Sequence, residues 1–392
     1  MQVFGRHYQN GEPIRVTLDA GRIQRVDPVW PNESATDWPW IAPGLFDLQI
    51  NGHSGTWFSQ ENLTADDVCV VVEKYLAHGV TRLCPTLITN SYEALRDGFS
   101  AVAEACERHD WVNRMVPGCH LEGPYISAED GPRGAHPLEH VRAANWDEFA
   151  EWQKASGNRI RLVTVAPDQE NVIPFIRQAV ESGVVISIGH TGASPEQIQA
   201  AVDAGATKST HLGNGAHGTL KRHPNYLWEQ LGDSRLWAGI ITDGHHLPPS
   251  VVRSIIAAKG VDRTIITCDA SGLAGCPPGV YQEGAVAMEV LEDGRLVVAG
   301  QRQYLAGSGQ ETDHCVATAM KMAPITLGQA VDMTSRNPAL LLGYEECRLR
   351  RGSRADLVLF HWQPGGSFDT IATFLAGELK YGDVPELSVC SS

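Results

Sequence analysis

Apolar positions recur along the middle of the chain in one repeating order: a helical stripe, a glycine, then a short apolar run. From Thr64 onward, Val68, Val71, Val72, Tyr75 and Leu76 fall at helical spacing, Gly79 ends the stripe, and Arg82–Leu87 follows as a strand. Val172–Glu181 stops at Gly183 before Val184–His190. A third helix opens with Ser194, Pro195 and Gln197, an N-cap with its capping-box partner, and stops at Gly205 before Thr207–Leu212. A fourth carries Val251, Val252, Ile255 and Ile256, stops at Gly260 and precedes Thr264–Ala270. Glycine past the last turn accepts the left-handed backbone that ends a helix.

Phe46–Asn51, Met115–Leu121, Ile160–Ala166 and Leu236–Thr242 bring the predicted strands to eight. Several are near-continuous apolar runs, as strands buried on both faces should be. Eight strands with helices between them predict an α/β fold, a closed (β/α)8 barrel of the TIM type over residues 44–344. An open doubly wound sheet is disfavoured, because no Gly-x-Gly-x-x-Gly follows the first strand. The two ends read as short β runs and turns: Arg15–Leu18, Arg22–Val26, Ala355–Phe360 and Ile371–Leu375. Residues 1–43 and 345–392 are each too short for a stable domain, so together they predict one small β-sandwich domain beside the barrel.

Composition sharpens this picture in a few places. With 392 residues, 43% of them hydrophobic, the chain can bury a large core. The net charge of −15 argues against nucleic acid as a partner, and an anionic substrate would need local positive groups. No apolar run of about 18 residues predicts a membrane span, and the N-terminal MQVFGRHYQNGEP lacks the pattern of a signal peptide. Nine scattered cysteines without a Cys-x-x-Cys pair read as reduced thiols, the expectation for a cytoplasmic protein.

In such a barrel, chemistry sits at the C-terminal strand ends. The third predicted strand ends in His120-Leu121-Glu122-Gly123-Pro124, the fifth in Gly189-His190-Thr191, the sixth in Thr210-His211-Leu212 and the eighth in Cys268-Asp269-Ala270. Glu122, His190 and His211 make a two-histidine, one-carboxylate set of the kind that holds a catalytic zinc with an open position. Such a metal acidifies water and polarises a carbonyl, and Asp269 is placed to move the proton. His120 lies on the same side of its strand as Glu122 and is expected beside the ligands. His217, His223 and His245 read as loop or rim residues, and Cys119, Cys268 and Cys276 as structural thiols.

These residues, together with Pro43-Gly44-Leu45-Phe46-Asp47, Asp243-Gly244 with His246, Ala274-Gly275 and the closing Gly352-Ser353-Arg354-Ala355-Asp356-Leu357, occur in one order along nearly the whole chain. In that order they resemble the N-acetylglucosamine-6-phosphate deacetylases of the amidohydrolase superfamily. The resemblance implies one divalent metal, zinc with iron, cobalt or manganese as alternatives, on Glu122, His190 and His211. It implies Asp269 as the catalytic carboxylate and His136 as the group that orients the acetyl carbonyl. It implies Asn214, Gly215 and His246 as sugar contacts, and Arg222 as a phosphate contact offered to the neighbouring subunit of a homodimer. Gln49-Ile50-Asn51 stands where many superfamily members carry His-x-His, and so marks a one-metal site. The chain departs from the family's usual pattern in Asn214-Gly215-Ala216-His217, in Leu220-Lys221-Arg222-His223-Pro224 and in Ser271-Gly272-Leu273, all around the sugar and phosphate.

The implied reaction is hydrolysis of N-acetylglucosamine 6-phosphate to glucosamine 6-phosphate and acetate. Alternatives are a deacetylase of an unphosphorylated or epimeric amino sugar, a deacylase of N-acyl amino acids, and a cyclic amidase. A non-catalytic sugar-binding barrel would be expected to have lost Glu122, His190, His211 or Asp269, and all are present.

Overall fold

The computed structural model describes residues 1–31, 35–283 and 286–387. At its centre run eight parallel strands: β1 (Leu45–Ile50), β2 (Val80–Ile88), β3 (Cys119–Glu122), β4 (Ile160–Val165), β5 (Val185–Ile188), β6 (Lys208–Ser209), β7 (Trp237–Ile241) and β8 (Thr264–Thr267). They are hydrogen-bonded in chain order from β1 to β8. The ring is completed by a parallel bridge between Ile50 and Ala270, where the Asn51 amide donates to the Ala270 carbonyl at 2.8 Å.

The helices between strands form for the reasons legible in the sequence. Thr64 caps Ala65–Lys74 in a reciprocal box with Asp67, and that helix buries Val68, Val71 and Val72. Ser194 and Gln197 make the same box at Pro195–Asp203. Gly79 (φ 70°) and Gly205 (φ 114°) turn the chain in the left-handed region, where a side chain would be strained. One expected boundary moves. Met115 is not in the third strand; it ends the helix Asp110–Met115, burying its side chain together with Val112. Pro117 ends that helix by disfavouring helical backbone at Val116, and the strand starts only at Cys119.

The chain ends meet in a second sheet. Gln2–His7, Pro13–Asp19, Arg22–Pro28 and Trp40–Pro43 join Leu357–His361, Asp369–Leu375 and Glu378–Gly382. Trp40–Pro43 is the seam, parallel to the first strand and antiparallel to Leu357–His361. Hydrogen bonding is continuous across all seven strands, so the expected sandwich is, in its pairing, one sheet.

A third sheet was not anticipated. Gly279–Glu283, Val286–Val290, Arg295–Val298 and Gln301–Ser308 form an antiparallel four-stranded excursion between β8 and the helix Thr312–Met322. It rejoins the barrel at Ser308, which bridges to Ala270. Among the described residues no helix is long and apolar enough to cross a membrane.

Candidate active site

A cavity of about 770 Å³ opens at the C-terminal ends of the barrel strands, and Glu122, His190, His211 and Asp269 all line it. Glu122 closes β3. Its Oε1 lies 3.1 Å from His211 Nε2 and 3.3 Å from His190 Nε2, and the two imidazole nitrogens are 3.0 Å apart. Four-coordinate zinc, with bonds of about 2.0–2.1 Å, sets its ligand atoms about 3.3 Å from one another. The triangle therefore has the spacing of ligands on one ion. His190 Nδ1 is 2.8 Å from the Pro132 carbonyl, which can only accept, so Nδ1 carries a proton there and Nε2 is the atom turned to the triangle. A single proton can satisfy one edge of this triangle; a divalent cation satisfies all three. Burial alone would raise the Glu122 carboxyl, but the bonds from His190 and His211 hold it well below its usual range.

The backbone strains to make this arrangement. His190 (φ 48°), His211 (φ 28°) and Asp269 (φ 53°) all lie in the left-handed region immediately past their strands. Non-glycine residues rarely adopt it, at a cost of order 1–3 kcal/mol each. Three such turns at three strand ends of one barrel, all bearing cavity-lining side chains, mark the place where packing is overruled by chemistry. They also shorten the strands: β6 ends at Ser209, short of the predicted Leu212.

Gln49, in β1, and Asn51, just past its end, stand beside the triangle. Gln49 Nε2 donates to both oxygens of Glu122, at 2.9 Å each, and Asn51 Nδ2 donates to Asp269 Oδ1 at 2.8 Å. Both are thus amide donors to carboxylates. Burial, and then the negative charge of Glu122, push the Asp269 carboxyl up to about 7, a range suited to proton exchange near neutrality. Beneath them Asp47 fixes the β1 backbone by accepting from the Gln49 and Cys268 amides and from the hydroxyls of Thr267 and Thr312.

His136 faces the same cavity with its ring 4.3 Å from that of His190. Its Nδ1 lies 2.8 Å from Thr89 Oγ1, and burial, together with the neighbouring His190, holds its pKa well below the usual value, so the ring is neutral. A ligand atom of His136 comes within 4.8 Å of those of Glu122 and His190, but the triangle with His211 is tighter. His246 Nδ1 is 2.7 Å from Asp243 Oδ2, which leaves Nε2 for the cavity. Asn214 and Gly215 line the wall beside it. A Cβ on Gly215 would stand 2.9 Å from His190 Nδ1, so only glycine fits there. His120 lies below Glu122, bonded to Thr164 Oγ1 at 2.7 Å, and burial drives it down to about 3.

Arg222 is exposed and does not line the cavity of its own chain. The cavity wall instead contains Arg295 and Met288 of the four-stranded excursion, together with His245. Sequence reasoning missed Arg295. The only local signal was Asp293-Gly294, a hairpin turn pair, which says nothing about where the hairpin leans.

The pattern of the amidohydrolase family matches residues 40–380. The chain belongs to the amidohydrolase family. Within it, the N-acetylglucosamine-6-phosphate deacetylase of Bos taurus is 32% identical over 351 residues, 87% of this chain and 83% of the relative. The N-acetylgalactosamine-6-phosphate deacetylase of Escherichia coli O157:H7 is 29% identical over 344 residues, 86% and 88% respectively. The N-acetyl-D-glucosamine-6-phosphate deacetylase of Mycobacterium smegmatis, solved in complex with N-acetyl-D-glucosamine-6-phosphate, superposes with a TM-score of 0.85 at 29% identity, over 97% of this chain and 99% of that one. This amidohydrolase therefore resembles the hexosamine-6-phosphate deacetylases in sequence and in fold, over nearly its whole length.

Proposed function

We propose that the protein removes the N-acetyl group of an amino-sugar 6-phosphate, N-acetylglucosamine 6-phosphate foremost, releasing acetate and the free amine. The observation that carries this reading is Asp269 held by Asn51 beside the Glu122, His190 and His211 triangle, in a cavity with room for a phosphorylated sugar. Those three side chains would hold one divalent metal, zinc foremost, which supplies Lewis acidity to the acetyl carbonyl and makes the attacking water easier to deprotonate. Asp269 takes the water's proton and returns it to the departing nitrogen. Neutral His136 donates to the carbonyl oxygen as negative charge develops there. His246, oriented by Asp243, and the Asn214-Gly215 backbone hold the sugar. Arg222, exposed on its own subunit, reaches the 6-phosphate across the interface of a cytoplasmic homodimer.

The test is acetate release from four substrates: N-acetylglucosamine, N-acetylgalactosamine and their 6-phosphates. A strong preference for the phosphorylated pair is expected. Relatives named for either epimer match about equally well, so the galactose epimer is the second reading, and the panel separates the two. Equal turnover of free and phosphorylated sugars would overturn phosphate recognition.

A further inference from the structure

Outside the barrel triangle stands a second convergence of metal-ligating side chains. His53 lies in the short hairpin after β1, His78 in the turn before β2, and Glu311 just after the four-stranded excursion. One ligand atom of each lies within 4.8 Å of those of the other two. They come from three distant points of the chain, so the fold and not local sequence brings them together.

The hydrogen bonds around the cluster are those of ligands. His53 Nδ1 lies 2.6 Å from Ser54 Oγ, and its Nε2 lies 3.2 Å from Glu311 Oε1. His78 Nδ1 lies 3.0 Å from Asp313 Oδ2, and among the described residues nothing bonds its other nitrogen. A metal-ligating histidine nearly always has its far nitrogen engaged by such a partner, which fixes the ring and makes the free nitrogen more basic. Here both rings have that partner. Two separate ion pairs, His53 with Glu311 and His78 with Asp313, would not require the rings to converge on one carboxylate.

The rings are also packed in place. His53 stands edge-on to Tyr75, 5.4 Å between centroids, and the Tyr75 hydroxyl donates to the Gly52 carbonyl at 2.8 Å. A Cβ on Gly275 would come within 2.4 Å of His53 Cε1, so glycine makes room for the ring. Glu311 and Gly275 line a surface cleft of about 440 Å³, separate from the barrel cavity, which gives an ion a way in.

We propose that His53, His78 and Glu311 form a structural site for a divalent transition metal of the zinc class, distinct from the barrel triangle. Two imidazoles and one carboxylate suit zinc, cobalt or nickel and not the all-oxygen preference of calcium or magnesium. The His53–Glu311 pair already has the separation of about 3.3 Å that zinc imposes on its ligands; a side-chain rotation of His78 completes the set. The ion clamps the hairpin that follows Asn51 to the segment returning from the excursion. Its effect falls on the rigidity of the cavity rim, and the chemistry at Asp269 does not depend on it.

Metal-free protein titrated with zinc chloride in a calorimeter tests this, with circular dichroism as the check on folding. Unmutated protein should bind two equivalents. Glu122→Ala should retain one, His78→Ala should retain the other, and the double variant should bind none. Zinc should raise the Tm of Glu122→Ala but not of the double variant. Glu311→Gln keeps the shape of the side chain and should weaken this site at least tenfold, which provides a readout if His78→Ala does not fold. A single equivalent in the unmutated protein, abolished by Glu122→Ala, would overturn the proposal. So would two undiminished equivalents in Glu311→Gln.

Discussion

Gln49 Nε2 stands 2.9 Å from each oxygen of Glu122. The amide thus binds the carboxylate corner of the Glu122, His190 and His211 triangle from the β1 side. It fixes the carboxylate plane and leaves Oε1 turned to His190 and His211. Groups that orient a metal ligand from behind are commonly worth about 10–100-fold in metal affinity or activity. Gln49→Leu should therefore weaken zinc binding at the barrel triangle by about that factor, with unchanged circular dichroism. Chelator competition in a His78→Ala background reads this site alone. Unaltered affinity would mean that Gln49 only fills space.

Asn51 does for Asp269 what Gln49 does for Glu122, through its bond at 2.8 Å. If Asp269 carries the proton between water and leaving nitrogen, Asp269→Asn should keep the metal and lose turnover. General acid–base catalysis is commonly worth about 10²–10⁴-fold, so kcat should fall by at least about a hundredfold. Metal content by elemental analysis and acetate release by a coupled assay decide it. Near-normal kcat in a metal-loaded variant would assign the proton to another group.

The barrel and the four side chains that meet at its mouth were legible because they repeat a rule. The helical stretches before β2, β5, β6 and β8 stop at Gly79, Gly183, Gly205 and Gly260, and each of Glu122, His190, His211 and Asp269 sits at a strand end, where a barrel puts its chemistry. The strand lengths were not legible. His190, His211 and Asp269 leave the ladder with positive φ, and nothing in histidine or aspartate announces that conformation. The excursion was missed because its strands pair as consecutive antiparallel hairpins and several of their residues are exposed or half-buried, so they do not continue the βα repeat. Arg295 was missed with it. Arg222 shows a different limit: its expected partner belongs to another copy of the chain, and no pattern within one sequence displays a surface between two.

Lys208 is another residue that only the fold explains. In sequence it is one polar residue among Lys208-Ser209-Thr210; in the structure it is buried in the barrel interior, its ammonium bonded to the Ser209 carbonyl at 3.4 Å. Burial lowers its pKa from 10.5 to about 8, and the carboxylates of Glu122, Asp269 and Asp47 counter part of that fall. Below about pH 8 the folded and unfolded chains both hold the proton. Between about 8 and 10.5 the unfolded chain keeps it and the folded one releases it, so this group makes stability rise with pH across that window. Urea unfolding of metal-free protein at several pH values should show this contribution as a difference from Lys208→Met, which lacks it. Identical pH profiles for the two proteins would show that the ammonium is not held as a buried charge.

Two arginines are candidates to bind the 6-phosphate of the proposed substrate, and their positions suggest how to separate them. Arg295 lines the cavity, but its Nε is already given to Asp293 Oδ2 at 2.8 Å, which spends part of its charge. Arg222 is exposed outside the cavity of its own chain, which is where a residue serving a neighbour's cavity would lie. A guanidinium fork can grip phosphate oxygens in pairs, and charge-assisted hydrogen bonds contribute about 1.5–3 kcal/mol each. Arg222→Ala should then lower kcat/KM for the 6-phosphate by about tenfold to a hundredfold, with little effect on the free sugar. Arg295→Ala should change both substrates alike. Co-expressing Arg222→Ala with Asp269→Asn tests the geometry itself. In a hybrid dimer, the Arg222→Ala subunit keeps a working Asp269 and receives an intact arginine from its partner, so activity on the phosphorylated sugar should return. If Arg222 acts within its own chain, the hybrid has no complete site and stays as inactive as its parents. If Arg295→Ala alone removes the preference for phosphate, recognition belongs to the excursion, and Arg222 is a solvated surface residue.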